Sequence, residues 1–526
     1  MNRELMLSQL TASENRIWDV IVIGGGATGL GIALDASVRG FRTILIEQSD
    51  FAKGTSGRST KLVHGGVRYL AKGDVFLVIE ALVERGIMLK NAPHITRNQE
   101  FLIPLYTIWD AILYTVGLTL YDWLAGRKSL GRSHFVNRKN TIRRLPLLIS
   151  KGLKGSVAYH DGQFDDARMA VTLAESAVLN GAIVLNYLKV VSLQKNPEGQ
   201  LIALKALDLE SGNEHVLHSN CIINATGVFA DALMHMDNPE APPTIRPSQG
   251  IHLVLDKSFL QSDAAIMIPK TSDGRVLFCI PWYNHVVVGT TDTPVNQVSL
   301  DPKPIKEEID FILDTASKYL QKPPSQKDIL SVFAGLRPLA ANAGRPESTK
   351  EISRRHKIYI SASGLISIVG GKWTTYRRMA AETLDKAIQL GKLPGKPCLT
   401  ENLKLSGFIQ GGRQGRFSIY GSAANEIEEL INNDPSLGMN IHSEIPYCKA
   451  EFKWLIRNEM PRTIDDLLSR RTRSLILNAS AAIEIAPLIA SLLAEELRFD
   501  ENWQKKQVKD FTELAQQYLT ENIYSN

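Results

Sequence analysis

The chain has 526 residues, too many for one ordinary hydrophobic core, so at least two packed units are expected. A hydrophobic content of 44% with 22% charged residues excludes a disordered chain, and no repeat at a fixed period is present. Sixty Lys+Arg against 55 Asp+Glu leave only +5, scattered along the chain, which permits anionic substrates or an acidic membrane surface and argues for no nucleic-acid partner. The four cysteines (Cys221, Cys279, Cys398, Cys448) lie far apart with no C-x-x-C, so neither a disulfide framework nor a metal site is expected, and reduced thiols suit a cytoplasmic setting. Met1 to Arg16 lacks the apolar stretch of a secretory signal.

The strongest local pattern comes first in the chain. Trp18 to Ile23 is an apolar run of strand length, followed at once by Gly24-x-Gly26-x-x-Gly29. Gly29 to Arg39 has the residues of a helix, Gly40 suits its end, and Thr43 to Ile46 forms a second strand. Glu47 then lies about twenty residues beyond the glycines, placed to accept hydrogen bonds from a ribose. Gly24, Gly25 and Gly26, with Thr28 in the same turn, let backbone approach a pyrophosphate, which the helix N-terminus stabilises. Strand, loop, helix, strand and acid in this order predict a dinucleotide site.

Further along, Thr55, Ser56 and Ser59 lead into "STKLVHGGVRYL", Ser59 to Leu70, which combines a histidine, two glycines, an arginine and a tyrosine. Phe101 to Leu124 is an apolar, aromatic-bearing segment about as long as a membrane span, but Pro104, Asp110, Gly117 and Asp122 interrupt it. A buried helix pair or loop and an interfacial element, with Trp109, Tyr114, Tyr121 and Trp123 near lipid headgroups, both remain open. Cys221 to Asn224 reads as a strand stopping at Ala225-Thr226-Gly227. Ile251 to Leu255, Val276 to Pro281 and His285 to Thr290 are short β-type runs with a turn at Ser272-Asp273-Gly274, predicting an antiparallel sheet. Arg337 follows an apolar strand, as a residue able to hold a phosphate with two parallel bonds. Leu365 to Val369 reads as a strand, then Gly370-Gly371-Lys372, then a helix from about Thr374, a second amide-rich junction. Only one dinucleotide unit occurs, and these distant junctions favour a flavin, FAD, enclosed by several parts of the chain. Gly391 to Pro397 is the expected linker, and a helical pattern follows, where Thr463 caps a helix and Asp465 and Asp466 suit its first turn. Arg470, Arg471 and Arg473 read as a paired or solvated face, or as a contact to anionic lipid.

The stretches "DVIVIGGGATGLGIALDA", "GTSGRSTKLVHGGVRYL", "DDARM", "NATG", "IPWYNHVVVGTTDT", "AGLRPL", "GGKWTTYRRMA" and "EFKWLIRNEMPRTIDDLLSRRTR" recur in order. On them the sequence resembles the FAD-dependent glycerol-3-phosphate dehydrogenases over roughly Trp18 to Arg473. The resemblance implies an α/β fold, α+β overall. It comprises a Rossmann-like FAD-binding domain of the D-amino-acid-oxidase-like group, an antiparallel-sheet substrate domain and a helical C-terminal domain. Residues 17–396 are expected to form the oxidoreductase region and 397–526 the helical domain. The implied reaction oxidises sn-glycerol 3-phosphate to dihydroxyacetone phosphate.

That chemistry needs a hydride acceptor, a base for the hydroxyl proton and cations for a phosphate. His64 is the only titratable group of suitable intrinsic pKa in its run, hence the expected base. The resemblance places His64, Arg68, Tyr69, Arg337 and Lys372 around flavin and substrate. Gly29, Thr55, Ser56, Ser59, Gly65, Gly66, Gly227, Gly371, Thr374 and Thr375 are expected against the cofactor, with the Gly65-Gly66 backbone close under its flat ring and Arg337 in the catalytic set. His252 is a second candidate base or substrate contact. The family more often shows a lysine and a serine around that position, where this chain has Gln249 and Ile251, so a hydrogen-bonded strand histidine is the competing reading. For reoxidation the expectation is a membrane quinone, since Arg127, Lys128 and Arg132 flank the apolar segment as in an interfacial anchor. This predicts a peripheral enzyme on the inner face of the cytoplasmic membrane, with a homodimer left open. The alternatives are a glycerophosphate oxidase using oxygen and, in a different class, a flavin-dependent tRNA-modifying enzyme.

Overall fold

The computed structural model describes residues 1–12, 16–67, 74–271, 274–341 and 355–524. Arg68, Tyr69, the Ser272-Asp273 part of the expected turn and the side chain of Arg127 lie outside the described residues. The first sheet is built on the β-branched strands Ile17–Ile23 and Thr43–Ile46, both buried on two faces as a parallel sheet requires. Ile17–Ile23 lies between Thr43–Ile46 and Glu214–Asn224, parallel to both, with Val20 opposite Thr43 and Cys221. Ile366–Gly370 extends the parallel ladder at one side and Ile183–Leu185 at the other. His356–Ile360, Leu188–Lys195 and Leu201–Asp208 add antiparallel strands. The helices Ala27–Val38, Asp166–Leu179 and Tyr376–Gln389 share one apolar core with this sheet.

A second sheet, of ten strands among the described residues, forms the other large layer. It is antiparallel at Ile245–Asp256, Leu277–Trp282, His285–Gly289 and Ile329–Ala340, as expected. One pair departs from the expectation: Ala265–Ile268 runs parallel to Thr96–Leu105. The apolar run from Phe101 to Leu124 is neither a helix pair nor a loop. It divides into the strand Thr96–Leu105 and the single helix Ile108–Ala125. Thr107 causes the division, because its hydroxyl accepts the Asp110 N–H at 3.1 Å and starts the helix there. Continuous hydrophobicity hid the change of period from two to 3.6. No helix among the described residues is long and apolar enough to cross a membrane.

The C-terminal part is mainly helical, with Lys449–Asn458, Ala479–Leu497 and Glu501–Gln516 as its longer helices and a small hairpin, Asn440–His442 with Ile445–Cys448. Its core is continuous with the second sheet. Val254, Trp282, Val287 and Phe333 of the second sheet belong to the same cluster as Phe452, Leu467, Ile489 and Phe511.

Thr463 does cap its helix, accepting the Asp466 N–H at 3.2 Å, but the arginines beyond it are not on a lipid-facing surface. Arg470, Arg471 and Arg473 are buried. Arg471 holds both carboxylate oxygens of Asp50, Arg470 holds Asp50 and, at 2.6 Å, Asp466, and Arg473 reaches Asp166 at 2.9 Å. Burial pushes the Asp50 carboxyl up, but Arg471 and Arg470 outweigh it and hold Asp50 below its ordinary value. These ion pairs join the loop after the second Rossmann strand to the C-terminal helices. Asp50→Ala removes the close carboxylate of the buried Arg471 and leaves Arg470 with Asp465 and Asp466 alone, which costs about 3–5 kcal/mol. A thermal melt of the chain should show a fall in Tm of several degrees, and an unchanged midpoint would mean that water reaches the arginines.

Candidate active site

Between the two large sheets lies one cavity of about 860 Å³, near the upper end of the usual range for a small-molecule site. Gly24, Gly25, Gly26 and Thr28 form one wall, Glu47 stands behind them, and Thr55, Ser56 and Ser59 follow. The loop is built for close approach. Gly24 has φ +114°, and a Cβ there would stand 2.6 Å from Ala225 O. A Cβ on Gly29 would meet Gly24 O at 1.9 Å, so this third glycine serves helix–strand packing and is not part of the lining. Glu47 is half-buried, and its loss of water pushes its carboxyl up, while the Gly25 N–H at 2.6 Å and the Ser49 N–H at 2.9 Å work against that rise. Its side chain thus fixes the glycine loop as well as facing the cavity.

The rest of the lining brings together His64, Gly66, Gly227, Arg337, Gly371, Lys372 and Thr374, from segments far apart in sequence. The Thr374 hydroxyl ties the two segments together: the His64 N–H donates to Thr374 Oγ1 at 3.3 Å. Trp373 Nε1 donates to Ser56 O at 2.8 Å, which ties this junction to the nucleotide side. Two expected cofactor contacts stand behind the wall. Thr375 is buried and donates to Lys372 O. Gly65 is not in the lining; a Cβ there would meet Tyr121 Oη at 2.6 Å and Leu82 Cδ2 at 2.7 Å, so helix packing, not a flat ring, demands the glycine.

Arg337 faces the cavity with its guanidinium fixed by four acceptors: Gln249 O and Asp292 at 3.1 Å, Thr290 Oγ1 at 3.1 Å and Thr291 O at 2.8 Å. Asp292 also accepts from Ser248 Oγ. The cation is thereby oriented before any anion arrives. His252 lines the cavity but is a poor anion contact. Its ring stacks on Phe333 at 4.8 Å, and Nε2 lies 3.0 Å from Thr60 Oγ1. Burial, then Lys61 and Arg337, hold it well below the ordinary histidine value, so the ring stays neutral.

Sequence reading missed a group beside this wall. Lys61 is fully buried, donates to Asp166 at 2.7 Å and to Gly57 O at 3.0 Å, and lies over the rings of Phe333 and Trp282. Asp166 also accepts from Ser59 and Arg473. The "DDARM" stretch holds this aspartate, but only its partner more than 300 positions later explains it.

A nucleotide-type glycine loop and an oriented cation lining one cavity between two sheets define a flavin-dependent oxidoreductase. Residues 19–377 match the family described as FAD dependent oxidoreductase, and residues 366–505 match the C-terminal domain of alpha-glycerophosphate oxidase. The chain belongs to this FAD-dependent oxidoreductase family. It is similar to the mitochondrial glycerol-3-phosphate dehydrogenase of Homo sapiens, 38% identical over 98% of this chain and 75% of the relative. The Schizosaccharomyces pombe enzyme of the same name is 37% identical over 92% of this chain and 85% of its own. The glycerol-3-phosphate dehydrogenase of Bacillus halodurans complexed with FAD superimposes with a TM-score of 0.77 at 29% identity, covering 98% of this chain and 97% of that one.

Lys61 gives a pH test of the buried cluster. Burial lowers its ammonium to about 8, Asp166 acts against the fall, and Arg473 adds to it. An unfolded lysine keeps its proton to about 10.4. Between these values the unfolded chain binds a proton that the folded chain has released, so this site favours folding more as pH rises from about 8. Below about 8 its unfavourable contribution is complete. Urea midpoints of wild type and Lys61→Met, measured across this window, should diverge in favour of wild type as pH increases. Parallel curves would place the lysine's titration elsewhere.

Proposed function

We propose that the chain oxidises sn-glycerol 3-phosphate to dihydroxyacetone phosphate, with FAD as the hydride acceptor, as a dehydrogenase that passes electrons to a membrane quinone. The observation that carries the reading is the gathering of the glycine loop, His64, Arg337 and Lys372 around one cavity, in a chain related over nearly its whole length to glycerol-3-phosphate dehydrogenases. Gly24 to Gly26, Thr28, Ser56 and the Lys372–Thr374 junction would hold the cofactor, and their open backbone fits a pyrophosphate and an electron-rich ring edge. When bound, FAD supplies a two-electron acceptor at the substrate carbon.

In this reading His64 accepts the C2 hydroxyl proton as the C2 hydride leaves, and so removes the developing charge on the carbonyl product. Arg337 holds the phosphate with an oriented guanidinium, and Lys372 adds a second positive charge. The cavity walls exclude water while the alcohol is held. Residues 17–396 would carry out this chemistry, and 397–526 would brace it. Anaerobic addition of glycerol 3-phosphate should bleach the flavin absorbance, whereas glycerol should not. His64→Gln should keep the bound flavin and slow that bleaching by about 10²–10⁴-fold, the usual span for loss of a general base. A yellow protein that glycerol 3-phosphate fails to bleach would sink the reading.

Membrane attachment is the second part of the proposal. The outer face of the helix Ile108–Ala125 exposes Ile108, Trp109, Ile112, Leu113, Val116, Leu120 and Trp123, while Leu118 and Tyr121 face inward. This reverses the usual arrangement of a surface helix. Exposed Lys151 and Lys154 stand near its start, where the Lys154 N–H donates to Leu105 O, and exposed Arg132 follows its end. Anionic lipid adds about 1 kcal/mol for each such cation, and tryptophans at both ends suit the headgroup level. The occupant is therefore the inner, anionic face of a membrane, where a quinone is dissolved. Wild type should sediment with anionic vesicles, and Trp109→Glu combined with Val116→Glu should stay in solution while bleaching normally. Reduced enzyme should be reoxidised faster by a quinone analogue than by oxygen. Equal rates, with no vesicle binding, would favour the glycerophosphate oxidase reading suggested by the C-terminal domain match.

A further inference from the structure

The inner face of the same helix carries a polar side chain that the proposed chemistry does not use. Tyr121 is fully buried, and its hydroxyl makes two hydrogen bonds. It accepts the Gly65 N–H at 2.8 Å and donates to Asp161 Oδ2 at 2.8 Å. The other Asp161 oxygen accepts from Arg85 Nη1 at 2.8 Å, and Arg85 Nη2 donates to Lys128 O at 3.1 Å. A phenol has one proton, and the carboxylate takes it, which leaves the oxygen lone pair turned to Gly65. Burial, then Asp161, raise the Tyr121 hydroxyl well above its ordinary value, so it remains a donor at all working pH. The missing Cβ of Gly65 is what lets the hydroxyl come so close.

Gly65 directly follows His64, whose own N–H is held from the other side by Thr374 Oγ1. The two peptides on either side of His64 are thus each held by a hydroxyl, one from the flavin-facing junction and one from the helix Ile108–Ala125. We propose that Tyr121 is a positioning residue for the reaction. It sets the backbone of His64, and through it the aim of the imidazole into the cavity, by holding the Gly65 amide in a hydrogen bond polarised by Asp161 and Arg85. The inference rests on His64 being the base. Misplacing a catalytic group by a fraction of its working distance costs about 10²-fold, whereas flavin and phosphate contacts made elsewhere are left intact.

The test is a double-mutant cycle on the flavin-loaded full chain, with Tyr121→Phe and His64→Gln. Tyr121→Phe should retain FAD and the affinity for glycerol 3-phosphate, while slowing anaerobic flavin reduction by about 10–100-fold. In the His64→Gln background the same substitution should change the rate by less than about threefold, because it acts through the side chain already removed. Amide exchange at Gly65 should quicken by about tenfold or more in Tyr121→Phe and stay slow in His64→Gln, independently of any turnover. If Tyr121→Phe cannot hold FAD, Asp161→Asn is used. It still accepts the phenol proton but without charge, so a smaller slowing, again absent without His64, is expected. Equal slowing in both backgrounds, or no slowing with exchange at Gly65 unchanged, overturns the positioning role alone. A reduction rate in His64→Gln within tenfold of wild type overturns the base assignment, and this inference with it.

Discussion

The structure depends on the burial of two carboxylates, Asp50 and Asp166, between cations from the far end of the chain. An isolated carboxylate in such a place would take up a proton. Here Arg470 and Arg471 close on Asp50, and Lys61 and Arg473 close on Asp166. Both aspartates flank stretches that form the cavity: Asp50 follows the second Rossmann strand, and Asp166 opens the helix Asp166–Leu179 that packs beside it. Lys53, paired with Asp465 and Asp301, and Arg58, paired with Asp301, extend the same fastening along the Ser49–Lys61 loop. The C-terminal helices therefore give that loop its shape. Their apolar contribution to the second sheet, through Trp282 and Phe333, fixes the other wall.

This explains how a cavity of such size persists between two sheets. Apolar packing alone tolerates small slides of one layer over another, because its energy depends on area and not on direction. Arginine–carboxylate pairs are directional, and a displaced pair leaves a charge stranded. The apolar clusters hold the layers together, and the ion pairs set their register. The same division of labour recurs at Arg337, where Asp292 and two backbone carbonyls aim a cation that apolar neighbours could not orient.

What the sequence reveals follows from the range of the interactions involved. The first Rossmann unit is legible because its cause is local: a glycine at φ +114°, a helix starting at Ala27 and an acid after the next strand all lie within one short stretch. His64 and Arg337 are legible as chemistry from their residue types, but only the resemblance, and nothing in their spacing, gathers them with Lys372 around one cavity. The charge cluster was opaque for the same reason. Arg471 and Asp50 are 421 positions apart, and an arginine-rich helix reads alike whether its partners are solvent, lipid or buried aspartates. Thr107 was overlooked because an N-cap in the middle of an apolar run breaks hydrophobicity without breaking the run.

Gly65 is the most instructive case. Its neighbours suggested a glycine kept bare for a flat ring, and in the fold it is bare for a phenol on the opposite side. Both readings ask for the same absence of a side chain, so sequence cannot separate them. Direction can, because the hydroxyl of Tyr121 approaches from the helix and not from the cavity. The helix Ile108–Ala125 must then satisfy two solvents. Its outward face meets its surroundings with tryptophan and aliphatic side chains, while its inward face carries one phenol into a dry layer where every polar atom needs a partner. Tyr121 meets that need with an amide on one side and a carboxylate on the other, and the amide belongs to the residue that follows His64.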